Sequence, residues 1–199
     1  MAFVASISND EASLLPVARF EGTTIVIDRE EQVAEACDYL RQCRLLGFDT
    51  ETRPSFTPKV TNKVSLLQLF GGSRCYLFRL NRIGLPSAVA KLLADESIVK
   101  VGVAVRNDIT GLAQLRHFTA RGFVDLQNEV GRYGIENKSL RKVAGIVLGH
   151  KISKAQRLSN WEANTLTLQQ IVYAATDAWA CIEIFNVLDA IEPIIESKQ

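Results

Sequence analysis

Four acidic side chains and one tyrosine carry the chemistry available to this sequence. Asp49 and Glu51 end the apolar run Leu45-Leu46-Gly47-Phe48. In a strand, residues i and i+2 project from one face, so these two carboxylates stand side by side, and Gly47 leaves room next to them. Like charges held this way repel, and at least one pKa rises. A divalent cation removes the conflict, and hard oxygen donors suit Mg²⁺ or Mn²⁺. Ordinary acids at a solvated strand end would show the same D-x-E spacing. Asp108 follows the apolar stretch Ile98–Val105, at the carboxyl end of an expected strand, where open α/β sheets place their ligands. At that point Asn107 or Asp108 would serve equally well as a helix cap.

The last pair lies in Tyr173-Ala-Ala-Thr-Asp177. On a helix these two residues sit one turn apart. Leu168, Ile171, Val172, Ala175, Trp179 and Ile182 form an apolar stripe, and the opposite side still carries Ala180, Cys181 and Ile184. A helix apolar nearly all round is buried. A buried aspartate costs several kcal/mol unless it is paired or coordinates a metal. No Lys or Arg lies within a helical turn of Asp177, which leaves a remote arginine, a neighbouring element that it caps, or a metal as its partner. Taken together, the order D-x-E, then D, then Y-x-x-x-D places four carboxylates around one site.

The elements that must position them alternate. Thr23–Arg29, Leu45–Glu51, Val64–Phe70, Cys75–Arg79, Ile98–Val105 and Gly122–Val124 read as strands, with a hairpin through Gly-Gly-Ser-Arg after Phe70. Glu30–Cys43, Pro86–Ala94, Asn107–His117, Asp125–Arg132, Lys138–Val147 and Leu168–Ala190 read as helices. Thr52–Asn62, with Pro54 and Pro58, is a loop. A hairpin followed by strand–helix alternation predicts an α/β sandwich with a mixed central β-sheet flanked by helices. Residues 1–22 read as an N-terminal arm and 23–199 as a single domain.

Composition narrows the function class. The 199 residues carry 23 basic and 22 acidic side chains, so overall charge favours neither nucleic acid nor membrane. No apolar run approaches the ~18 residues of a membrane span, and no membrane partner is expected. Cys37, Cys43, Cys75 and Cys181 form no CxxC pair and read as reduced thiols of a cytoplasmic protein. Locally the balance differs: from Arg132 to Arg157, Lys138, Arg141, Lys142, Lys151 and Lys154 meet one acid, Glu136. Such a stretch tracks a phosphate backbone or forms a solvated helix face.

GFDTET, KVGVAVRNDITGL and YAATDAWACIEIF, in that order, resemble the three motifs of the DEDD superfamily of 3′–5′ exonucleases, tyrosine subgroup. The likeness is to single-domain relatives of ribonuclease D and of the Werner helicase's exonuclease domain, and it covers about residues 23–190. The sister subgroup's histidine position is Val172 here. The resemblance implies a ribonuclease H-like fold with five or six strands. It implies Asp49, Glu51, Asp108, Tyr173 and Asp177 as catalytic residues, the four acids holding two divalent cations, Mg²⁺ or Mn²⁺. Asp49 would bridge the ions, Glu51 and Asp177 complete one site, Asp108 hold the other, and Tyr173 aim the attacking water. Terminal phosphodiester bonds of single-stranded or 3′-ended DNA or RNA would release nucleoside 5′-monophosphates.

For substrate contacts, Thr50 and Asn107 flank the acids, and Leu66 and Gln68 share a strand face that would line a nucleotide pocket or the core. Lys154 would meet phosphate, Trp161 stack on a base or anchor its loop, and Phe56 wedge the terminal bases. A catalytically silent nucleic-acid-binding or scaffold module on the same fold would have lost an acid or the tyrosine, and neither is missing. A ribonuclease H-type endonuclease would cut internally.

Overall fold

The computed structural model describes residues 3–57 and 61–194. Pro58, in the expected loop, lies outside them. Six strands form one mixed sheet: β1 (Thr23–Ile27), β2 (Leu45–Thr52), β3 (Val64–Gly71), β4 (Arg74–Phe78), β5 (Val99–Gly102) and β6 (Phe123–Asp125). Their spatial order is β1-β4-β3-β2-β5-β6. β3 runs antiparallel to β2 and β4, while β2–β5, β5–β6 and β1–β4 are parallel. β2 and β3 are thus the central pair, with Asp49 directly opposite Gln68 and Glu51 opposite Leu66.

Helices cover both faces. α2 (Val33–Leu40), α4 (Ser87–Ala94) and α5 (Val105–Leu115) bury Cys37, Leu40, Leu92 and Leu112 against Leu46, Phe48, Leu67 and Leu69 of β2 and β3. α7 (Leu140–Leu148) and the long α8 (Leu168–Asp189) cover the other face. Strand alternation therefore sends Leu46 and Phe48 to one layer, and Gly47, Asp49 and Glu51 toward α8. α3 (Leu80–Ile83) and α6 (Leu126–Glu129) are single turns. α8 is capped by Thr167, whose hydroxyl accepts from Gln170 N while the Gln170 side chain accepts from Thr167 N. Contrary to the sequence reading, α8 is apolar enough over an 18-residue window to cross a membrane (mean hydropathy 1.4), because the window tolerates Asp177 and Glu183. Its apolar side chains pack instead on the sheet and on α7.

At the site, two boundaries differ from expectation. β5 ends at Gly102, and α5 starts at Val105 rather than Asn107. Between them Ala104 takes a left-handed conformation, φ 57°, uncommon for a residue with a Cβ. Asp125 at the end of β6 holds this turn: its Oδ1 accepts from Ala104 N at 2.9 Å and its Oδ2 from Val105 N at 3.2 Å. The N-terminal segment also lies against the sheet layers. It forms α1 (Asn9–Leu14), started by a Ser8–Glu11 capping box. Phe3 packs on Tyr133, Val17 bridges to Lys151, and Phe20 meets Phe70 edge-on at 5.1 Å.

Candidate active site

The site lies where the end of β2 passes under α8. Carboxylate oxygens of Asp49, Glu51 and Asp177 all lie within 4.8 Å of one another. Glu51 and Asp177 are 9% and 6% exposed, so water does little to screen their repulsion. Among the described residues, no Lys, Arg or His forms an ion pair with any of these acids or with Asp108. The approach is close because Gly47 has no side chain: a Cβ there would collide with the Ala178 carbonyl of α8, the residue next to Asp177.

Asp108 comes in from α5. It does not cap that helix, a task Asp125 performs; its Oδ1 accepts a 2.6 Å hydrogen bond from the Thr50 hydroxyl. Thr50, a candidate for substrate contact, therefore has its hydroxyl on Asp108. Asn107 is exposed on the first turn of α5. The Tyr173 hydroxyl, one turn before Asp177, lies against the Asp177 carboxylate and eases its ionisation.

Burial pushes every acid of the site up. Asp49 rises well above the carboxylate range through desolvation, then through the charges of Asp177, Glu51 and Asp108. Glu51 is pushed up to about 9 by burial and by Asp177 and Asp108. Asp177 rises to about 7 by burial, opposed by Tyr173, and Asp108 to about 6 by burial, opposed by the Thr50 hydroxyl. The Tyr173 phenol also moves up, by burial first and then by the surrounding carboxylates. A set of converging hard oxygen donors with no ion-paired cation among the described residues fits a divalent cation such as Mg²⁺ or Mn²⁺.

Other candidates fall elsewhere. Leu66 is fully buried in the apolar cluster beneath α8. Gln68 is fully buried across from Asp49, and neither polar atom of its amide has a hydrogen-bond partner. Trp161 is fully buried, its ring 6.0 Å from that of Tyr173, so it packs behind the tyrosine and offers no surface to a base. Lys154 and Arg157 are exposed and line a cavity of about 220 Å³ together with Arg141, Tyr173 and Asp177. Phe56 is 85% exposed in the loop after β2. Asp125 and the Thr50 clamp were not anticipated; the sequence signal for Asp125 is a cap residue ahead of α6, and nothing local links it to α5.

The mixed sheet with helix layers on both faces makes up a ribonuclease H-like fold. The exonuclease domain of Nibbler from Aedes aegypti superposes with a TM-score of 0.75 at 24% identity, over 84% of this chain and 87% of that one. Escherichia coli ribonuclease D gives 0.74 at 22% identity, over 84% and 46%. In sequence, the mouse bifunctional 3′-5′ exonuclease/ATP-dependent helicase WRN is 35% identical over 191 residues, 87% of this chain and 13% of that protein. Drosophila melanogaster exonuclease 3′-5′ domain-containing protein 2 is 33% identical over 182 residues, 88% and 31%. The chain thus spans less than a third of either relative. Residues 24–191 match the profile of the 3′-5′ exonuclease family, and the chain belongs to that family.

Proposed function

We propose that this protein shortens nucleic-acid strands from the 3′ end, releasing one nucleoside 5′-monophosphate per cut. The observation that carries this reading is the convergence of Asp49, Glu51 and Asp177 within 4.8 Å, with no ion pair to any of them among the described residues. In each cut a water oxygen bonds to the last bridging phosphorus. The bond from that phosphorus to the neighbouring 3′ oxygen breaks, and the 3′ oxygen takes up a proton.

Asp49, Glu51 and Asp177 would hold one Mg²⁺ or Mn²⁺, and Asp49 with Asp108 a second. Ions bound there supply Lewis acidity toward the phosphate oxygens and toward water. The chain's own residues do the positioning. Thr50 fixes the Asp108 carboxylate. Tyr173 stays protonated at neutral pH, since burial and the nearby acids move its pKa upward, so it does not act as the base. It donates to Asp177, and its oxygen accepts from the attacking water, turning a water lone pair toward phosphorus. Trp161 buttresses the tyrosine ring from behind. Arg141, Lys154 and Arg157 line the path of the backbone phosphates.

Matched strands of DNA and RNA, linear ones labelled at the 5′ end and circular ones labelled internally, test this in Mg²⁺, in Mn²⁺ and in EDTA. A ladder descending one nucleotide at a time from the 3′ end, abolished by EDTA, is expected on linear strands of at least one polymer. Cutting of the circles would make the protein an endonuclease. Unchanged digestion by both Asp49→Asn and Asp177→Asn would overturn the site.

A further inference from the structure

Just past the end of β4 the chain buries an arginine whose hydrogen bonding is incomplete. Arg79 is 2% exposed. Its backbone N donates to Ile27 O at 2.8 Å, and its Nη2 to Ala163 O at 2.5 Å. Its Nε has no partner, and among the described residues Arg79 forms no ion pair. Burying a charge without a partner of the opposite sign is unfavourable. Burial first, and then the charge of Arg82, hold this guanidinium below its usual pKa.

Arg79 lines a cavity of about 440 Å³. It lies outside the carboxyl ends of the parallel pair β1–β4, the place where open α/β sheets take ligands. Arg82 lines it too, and its Nη1 is 3.3 Å from Oδ2 of Asp28. Asp28 is the one carboxylate among the lining residues, so two guanidinium groups meet a single acid. The Asn164 and Thr165 side chains, both exposed, edge the same space.

Holding the neighbouring loop accounts for part of this. Arg79 donates to the Ala163 carbonyl and Arg82 to that of Asn164. It accounts neither for the unpartnered Nε nor for the surplus positive charge facing a cavity. Guanidinium forks match phosphate oxygens through paired N–H donors. The first turn of α8 borders the space through Ile171, so the positive end of that helix dipole acts in the same direction. Val26 and Leu166 add an apolar wall. A bare ion would leave that wall unused, whereas a phosphate ester uses both sides.

We propose that this cavity is an anion site in its own right, taking a phosphate ester on Arg79 and Arg82 with its organic part against Val26 and Leu166. It shares the acids' end of the sheet, since Glu51 lies opposite Leu66 and Phe78 opposite Leu67. It is nevertheless a separate place: in residues 161–164, Trp161 packs behind Tyr173 while Ala163 and Asn164 sit on the arginines. The site does not depend on the exonuclease reading. A free phosphate monoester or an internal phosphate of a strand supplies the same chemistry.

The test follows the assigned Arg79 Nε–H resonance in arginine side-chain ¹H–¹⁵N spectra of the whole chain. EDTA is present throughout, so that phosphate held by metal at the acids makes no contribution. The titrants are inorganic phosphate, adenosine 5′-monophosphate and a single-stranded DNA dodecamer with hydroxyl ends, each against chloride at matched ionic strength. The monophosphate should move the resonance saturably and bind more tightly than inorganic phosphate. Arg82→Gln removes a charged donor and should weaken the monophosphate about tenfold. Thr165→Glu, at an exposed position, brings a negative charge to the cavity and should weaken it several-fold without touching either arginine's bonds to the loop. Movement by the dodecamer as well supports the site and assigns it to strand phosphates; movement by the monophosphate without the dodecamer supports it and assigns it to a free ester. A resonance that no titrant moves beyond chloride, or titration curves unchanged in both variants, would overturn it.

Discussion

Two buried charged regions of opposite sign sit in the same sheet, and they are solved differently. Lys100 on β5 is fully buried, yet its Nζ donates to the carbonyls of Asp95 at 2.6 Å and Ile98 at 2.7 Å and lies 5.1 Å from the Phe123 ring centre. Fixed dipoles and a ring face answer its charge from within the chain. Glu51 and Asp177 are nearly as buried, Asp49 half-buried, and the three have far less support: the Thr50 backbone for Asp49 and the Tyr173 hydroxyl for Asp177. One region is complete as folded. The other gathers like charges with no ion pair among the described residues, an arrangement that a proton or a bound cation would relieve.

The largest break in this contrast is Asp49→Asn or Asp177→Asn. Each keeps the side-chain size, removes a charge and lowers 3′-end hydrolysis by about a thousandfold or more, read as initial rates on a labelled strand at saturating Mg²⁺. Lys100→Met comes second. It leaves the buried Ile98 carbonyl without its donor, at about 1–3 kcal/mol, and the half-buried Asp95 carbonyl with it, and lowers the denaturant midpoint while leaving the reaction rate per folded molecule unchanged.

The pH dependence separates the two regions by sign. The acids have folded pKa values above their unfolded ones, so their contribution to stability is complete below about 4 and is lost as pH rises toward about 9, the value for Glu51. Lys100 is lowered to about 8, chiefly by burial, so its penalty is present below 8 and fades between there and its unfolded value near 10.4. Melting in EDTA should therefore show stability falling from pH 5 to pH 8. Mg²⁺ or Mn²⁺ should raise the melting temperature at pH 8 and barely at pH 5, where protons already occupy the site. A metal effect of equal size at both values would break the comparison. The smallest effect belongs to the exposed cations. Lys154→Ala with Arg157→Ala should weaken strand binding several-fold and flatten its salt dependence by about two ions, without a change in melting temperature.

The grouping of the acids was more legible in the sequence than the structure around it, and the reason is range. Asp49 with Glu51, and Tyr173 with Asp177, are joined by strand and helix periodicity, which a few residues define. The burial of Asp177 followed from a helix apolar on nearly every side. The end of β5 was misplaced because Ala104 turns the chain with a positive φ where a glycine would have announced it; its stabiliser, Asp125, lies 21 residues on. Trp161 could not be told from a stacking platform, since its burial depends on Tyr173 and the helix above. The Ser8–Glu11 capping box, by contrast, was a local signal for α1 in a stretch read only as an arm.

Gly47 has a consequence beyond easing a tight fit. The Ala178 carbonyl rests where its side chain would be, so the thickness of the molecule at this point is set by two backbones in direct apposition. Asp49 is two residues further along one backbone, and Asp177 is the neighbour of Ala178 on the other. The spacing of the acids is thus written in a residue that carries no charge: one methyl group at position 47 would part strand from helix and widen the gap between carboxylates while every one of them stayed in the sequence.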